Sequence, residues 1–188
     1  MSFKNYCKTV SDNFQHLHNL SDEIEKASNL LIDVISKNGK IMFCGNGGSA
    51  ADSQHLATEL SGRYLKERPA IAAIALSVDT SALTAIGNDY GYQYVFSRQL
   101  QAIGHKNDAL IAISTSGNSA NVIEACKLAK KIDIHIITLT GQTGGKLANL
   151  ADIALCVPSK QTNHIQEMHI AVGHYLCAKL EDWKVLNS

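Results

Sequence analysis

No apolar run in this sequence approaches the length of a membrane-spanning helix. The N-terminus, Met1-Ser2-Phe3-Lys4-Asn5-Tyr6, lacks the apolar core of a signal peptide. Charge of either sign is in short supply: 17 Lys and Arg balance 17 Asp and Glu, for a formal net charge of zero. Such a chain offers neither the general basic field that nucleic acid requires nor a polybasic membrane patch, so neither partner is expected. The five cysteines (Cys7, Cys44, Cys126, Cys156 and Cys177) are scattered and never spaced C-x-x-C, so no zinc knuckle or thioredoxin-type motif is signalled. Four of them lie in apolar runs, where a reduced thiol packs as a small hydrophobe. That usage suits a reducing compartment, and the cytoplasm is the expected location. Only two prolines occur, Pro69 and Pro158, and there is no internal repeat, low-complexity stretch or linker.

What is present is an ordinary globular composition, 45% hydrophobic and 18% charged over 188 residues. It is enough for one domain spanning residues 1–188, with N-terminal helices over 1–38 and an α/β core over 39–188. Two helical segments open the chain, Phe3–Leu17 and Asp22–Lys37. In the second, Ile24, Ala27, Leu31, Val34 and Ile35 recur at helical spacing and Gly39 supplies the stop. A rhythm of short apolar runs follows: Lys40–Cys44, Ile71–Leu76, Ala109–Ile113, Ile134–Leu139 and Ile153–Val157. Near-continuous runs of five or six residues are the pattern of strands buried on both faces of a parallel sheet. Helical stretches separate them, at Ser49–Leu65, Ser81–Ile86, Tyr92–Ile103, Ala120–Lys131 and Gly145–Leu150, and a last helix runs from about Asn163 to Trp183. The expected fold is a three-layer open α/β sheet of about five parallel strands, with right-handed crossovers and ligands at the carboxyl ends of the strands.

Four places carry chemistry-bearing residues. The first strand runs into Cys44-Gly45-Asn46-Gly47-Gly48-Ser49-Ala50, where three glycines let backbone approach a ligand and Ser49 can cap the next helix. The spacing matches neither a dinucleotide fingerprint nor a Walker loop, and a tight turn without ligand is equally open. On the following helix His55 and Glu59 stand four apart on one face. They can ligate a divalent metal, Glu59 can act as a general base, or the two can form a plain polar pair. Arg63 lies one turn further on and can meet an anion. The third strand leads into Ser114-Thr115-Ser116-Gly117-Asn118-Ser119, four hydroxyls around one glycine at a helix start. One hydroxyl is enough for a helix cap, so four favour a phosphate cradle built from hydroxyls and helix amides. The Gly141–Gly145 loop reads as a structural turn. On the last helix Gln166 and His174 are eight apart, projecting about 80° from each other, with His169 a competing candidate. Either histidine can equally be a core residue.

Taken together, Cys44–Ala50, Gln54–Tyr64, Ala85–Asp89, Ile113–Ser119 and Ile165–His169 resemble the phosphoheptose isomerases of the sugar-isomerase (SIS) fold, nearly end to end. The resemblance implies conversion of sedoheptulose 7-phosphate to D-glycero-D-manno-heptose 7-phosphate, feeding heptose into bacterial lipopolysaccharide or capsule. It implies Glu59 and His174 as catalytic residues. It also implies His55, Glu59, Gln166 and His174 as ligands of one Zn2+. Asn46, Gly47, Gly48, Ser49, Glu59, Arg63, Asn88, Asp89 and Gln166 correspond to substrate contacts, and Ser114, Thr115, Ser116 and Ser119 to the phosphate set. It further implies a homotetramer with active sites near subunit interfaces. Asn163 and His164 depart from the family pattern, which often has Arg before Ile-Gln-Glu. Rival readings are a non-catalytic SIS protein that binds the replication initiator, a sugar-phosphate sensor, and an isomerase of another phosphorylated ketose. The retained Glu59 and His174 argue against the first, and the lack of a basic recognition helix argues against the second.

Overall fold

A computed structural model describes residues 2–187. Seven α-helices and five strands follow one another: α1 Phe3–Leu17, α2 Ser21–Ser36, β1 Ile41–Gly45, α3 Gly48–Ser61, β2 Ala73–Ala75, α4 Thr80–Tyr90, α5 Val95–Ile103, β3 Ala109–Ser114, α6 Ala120–Lys131, β4 His135–Thr140, β5 Ile153–Cys156 and α7 Thr162–Leu186. The strands form one parallel sheet in the order β2-β1-β3-β4-β5.

Alternation along the strands sends their side chains to two separate cores. Ile41 and Phe43 of β1, with Ile111, Ile113, Ile137 and Leu139, pack against Leu31 and Val34 of α2, Leu56 and Leu60 of α3, and Met168, Val172 and Leu176 of α7. Met42 and Cys44, with Leu110, Ala112 and Ile136, face Phe96 and Leu100 of α5 and Val122, Cys126 and Ala129 of α6. Double-sided burial is why these strands read as unbroken apolar runs.

The chain turns from β1 through α3 to β2 on one side, then crosses back to β3 on the other. The reversal leaves a crevice between the carboxyl ends of β1 and β3, where open α/β sheets bind ligands.

Several expected boundaries are corrected. The strand expected over Ile71–Leu76 pairs only at Ala73–Ala75, because it forms the sheet edge and Ile74 faces outward, 40% exposed. The helix expected to reach Leu65 stops at Ser61, where Gly62 ends it. The helix expected at Gly145–Leu150 is a single 3-10 turn, Ala148–Leu150, since Gly144 and Gly145 both adopt positive φ. Asn88 and Asp89 fall inside α4, which runs well past Ile86.

Candidate active site

Two loops line the crevice. After β1, Gly47 (φ 55°) precedes α3, and Gly48 opens the helix. Ser49 is therefore a buried first-turn residue rather than the cap, packed beneath Gly45. Asn46 pairs reciprocally with Asn121 at the start of α6: each amide nitrogen donates to the other's oxygen, at 2.9 and 2.8 Å. This pair ties the β1 loop to the β3 loop across the switch point. Asn121 was missed in the sequence, because one asparagine in a helix carries no signal of a partner 75 residues away.

In the β3 loop the Ser114 hydroxyl lies 2.9 Å from that of Ser119 and 3.5 Å from that of Ser116. Ser119 stands at the N-terminus of α6 without capping it through its side chain, so its hydroxyl turns toward Ser114 instead. The Ser116 hydroxyl accepts the Asn118 amide at 3.1 Å. Gly117 holds positive φ (66°) and is pressed on Gly144 and Gly145, where any Cβ would collide with their backbone. Leu147 N donates to the Gly117 carbonyl, and Gly141 N to that of half-buried Thr115, each at 3.0 Å. The Gly141–Gly145 loop thus buttresses the hydroxyl ring.

Helices α3 and α7 lie side by side and run the same way. Gln166 packs on Gly48, His174 meets His55, and Glu181 meets the residues beyond α3. The Nε2 atoms of His55 and His174 are 2.9 Å apart, so one ring donates and the other accepts. Glu59 Oε1 is 3.4 Å from the same His55 nitrogen. The Tyr64 ring stacks on His174 at 5.7 Å between centroids. Glu59 and His174, 115 residues apart in sequence, therefore converge through His55. Close approach of the helices depends on Gly173, where a Cβ would come 2.5 Å from Leu56 Cδ1. Asp52 sits one turn before His55, and burial pushes its carboxyl above the usual range, with His55 partly offsetting.

Among the described residues, no three His, Cys, Asp or Glu side chains form a group that could hold a metal as they stand. Two imidazole nitrogens and one carboxylate oxygen nevertheless fit zinc in donor type. Gln166, the fourth expected ligand, lies about 12 Å along α7 from His174 at 1.5 Å per residue. Arg63 is exposed beyond the end of α3. Asn88 donates to Asp89 at 2.8 Å, and both face solvent on α4. Tyr92, just after that helix, reaches Asn46 at 3.5 Å.

His169 is not part of this constellation. It is fully buried, and burial pushes its imidazole down to about 4, with the Thr140 backbone partly offsetting. His164 is buried too: its Nδ1 lies 2.8 Å from Glu167 and its ring packs on Tyr6 of α1. Tyr6 also donates to Glu167. Burial works against the Glu167 charge, yet these two hydrogen bonds hold its carboxyl below the usual range. His164 therefore joins α1 to α7.

The chain belongs to the SIS-domain family, whose profile matches residues 5–141. It is 52% identical over 178 residues to a phosphoheptose isomerase of Akkermansia muciniphila, covering 95% of this chain and 94% of that one. A phosphoheptose isomerase of Campylobacter jejuni is 56% identical over 163 residues, 87% of this chain and 88% of its own. The solved structure of phosphoheptose isomerase GmhA from Neisseria gonorrhoeae superposes with a TM-score of 0.90 at 45% identity, covering 95% of this chain and 96% of that one. A phosphoheptose isomerase from Francisella tularensis gives 0.92 at 34% identity, with the same coverage.

Proposed function

We propose that the protein is an aldose–ketose isomerase that converts sedoheptulose 7-phosphate to D-glycero-D-manno-heptose 7-phosphate, for heptose of a bacterial lipopolysaccharide or capsule. The observation that carries the reading is the convergence of Glu59, His55 and His174, together with a separate hydroxyl ring suited to phosphate. The near-identity in length and the identity level to phosphoheptose isomerases support the substrate class.

Glu59 takes the proton from C1 of the ketose, next to the C2 carbonyl, giving an enediolate with its charge on the C2 oxygen. His174, in contact with His55, moves a proton from the C1 oxygen to the C2 oxygen. Return of a proton to C2 leaves an aldehyde at C1 and a hydroxyl at C2. Ser114, Thr115, Ser116 and Ser119, with the amides of the α6 N-terminus, hold the phosphate without a formal positive charge. Asn46, Gly47, Gly48, Ser49, Arg63, Asn88, Asp89 and Gln166 are proposed to contact the rest of the sugar. Zinc would be held by His55, Glu59 and His174, with Gln166 as the fourth ligand that the resemblance implies, and would polarise the carbonyl oxygen.

A homotetramer is proposed as well. Its support is an apolar groove of about 350 Å³ between α1, α2 and α7, lined by Phe14, Leu17, Ile24, Val172 and Tyr175. Cytoplasmic location is supported by five unpaired cysteines, of which burial pushes the thiols of Cys126 and Cys177 up to about 12. None of the described helices is long and apolar enough to cross a membrane.

The test is turnover of sedoheptulose 7-phosphate in D2O. Wild type should give an aldose carrying deuterium at C2, and Glu59→Gln should give no product while unfolding at the wild-type temperature. Near wild-type turnover by Glu59→Gln would remove the base assignment.

A further inference from the structure

Arg68 and Glu181 form a buried ion pair that the chemistry described above does not use. Their side chains are 0% and 2% exposed, and Arg68 Nε lies 3.5 Å from Glu181 Oε1. Buried pairs are weak contributors to net stability, because desolvation offsets their attraction. Here almost every remaining hydrogen bond of the pair is aimed at one short segment, the one that follows α3. Glu181 accepts the backbone amides of Tyr64, Leu65 and Lys66 at 3.1, 2.8 and 2.9 Å. Arg68 donates through Nη1 to the carbonyls of Gly62 and Pro69 at 3.2 and 3.1 Å, and through Nη2 to the Glu59 carbonyl at 2.7 Å.

Both ends of the reacting group are therefore held by one strap. Glu59 is held through its own backbone, in the last turn of α3. His174 is held through Tyr64, whose ring covers it at an interplanar angle of 23°. We propose that Arg68 and Glu181 are positioning residues for the isomerisation, a role that rests on the isomerase reading above. They fix Glu59 from behind, and they fix the Tyr64 ring against His174 so that this imidazole faces His55. Rigid support of this kind decides whether a site is at its productive geometry.

The experiment compares Glu181→Gln, Tyr64→Leu and the double variant with wild type. Three readouts are taken: hydrogen exchange at the amides of 64–66, the NMR shift of the His174 ring protons, and kcat and KM for sedoheptulose 7-phosphate. Glu181→Gln should speed exchange at 64–66 and move the His174 shift. It should lower kcat by about tenfold to a hundredfold, as misplacement of reacting groups does. KM should stay within about threefold, since the phosphate cradle lies on other loops. Tyr64→Leu should lower kcat as well, and the double variant should lose less than the product of the two losses, because both variants disturb the Tyr64–His174 contact.

If Glu181→Gln does not fold, Arg68→Met/Glu181→Leu replaces it, since exchanging a buried pair for apolar residues is often neutral for stability. Freed amides with an unchanged kcat would overturn the proposal, and so would losses that multiply in the double variant. Failure of wild type to turn over the substrate would instead defeat the isomerase reading. The strap would then stand or fall on the His174 shift, and a wild-type shift in Glu181→Gln would sink it.

Discussion

The fully buried imidazole of His169 has a measurable consequence in acid. Burial lowers it from the ordinary 6.5 to about 4, so it stays neutral in the folded chain while the unfolded chain takes up a proton. Above pH 6.5 neither state is protonated there, and the folded state keeps its full stability. Between 6.5 and 4 only the unfolded state binds the proton, so stability falls with pH at about 1.4 kcal/mol per unit. Below 4 the loss is complete, at about 3 kcal/mol for a displacement of that size. Replacing His169 by Leu removes the proton site. The assay is urea unfolding of wild type and His169→Leu at pH 7.5, 6.5, 5.5 and 4.5. Relative to wild type, the variant should gain about 2–3 kcal/mol between the highest and lowest pH, by the same linkage. Its kcat at pH 7.5 should stay near wild type. Parallel stability curves would refute the buried neutral state, and a collapsed kcat would return His169 to the chemistry.

Two glycines give further tests. Gly117→Ala forces a Cβ into the Gly144–Gly145 backbone at a positive φ, and should cost about 1–3 kcal/mol while raising KM for the phosphorylated substrate. Thermal unfolding and steady-state kinetics check it, and unchanged values would show that the buttress does not shape the cradle. Gly48→Ala places a Cβ against the Gln166 amide, whose flexible end can swing away. If Gln166 takes part in zinc binding, competition with a chromogenic chelator should show affinity weakened by roughly tenfold to a hundredfold, the cost typical of disturbing ligand support. Wild-type affinity would remove Gln166 from that set.

The strands and most helices were legible because burial on both faces leaves an unmistakable run such as Ala109–Ile113. The hydroxyl loop was legible because four hydroxyls exceed what a helix cap needs. The sheet order was not, since nothing local to Ile71–Leu76 says that it forms the edge beside β1. The resemblance located Glu59 and His174. That they meet through His55 emerged only once α3 and α7 were placed side by side. Arg68 and Glu181 drew no reading from the sequence. Each is buried only because the other lies opposite it in space, 113 residues away, and pairing at that separation leaves no mark on either local sequence. Asn121 was invisible for the same reason. His164 looked like a lost charge, and its contacts with Tyr6 and Glu167 give it a packing role instead.

The residue just before His174 has no side chain, and that void governs how near two imidazoles can stand. A methyl group at position 173 would wedge against Leu56, the neighbour of His55, and push the helices apart where their rings meet. The separation of the two rings is thus dictated by a gap rather than by either imidazole. A relative bearing both histidines but a bulkier residue at this position would look the same in an inventory of functional groups and yet hold its two imidazoles further apart.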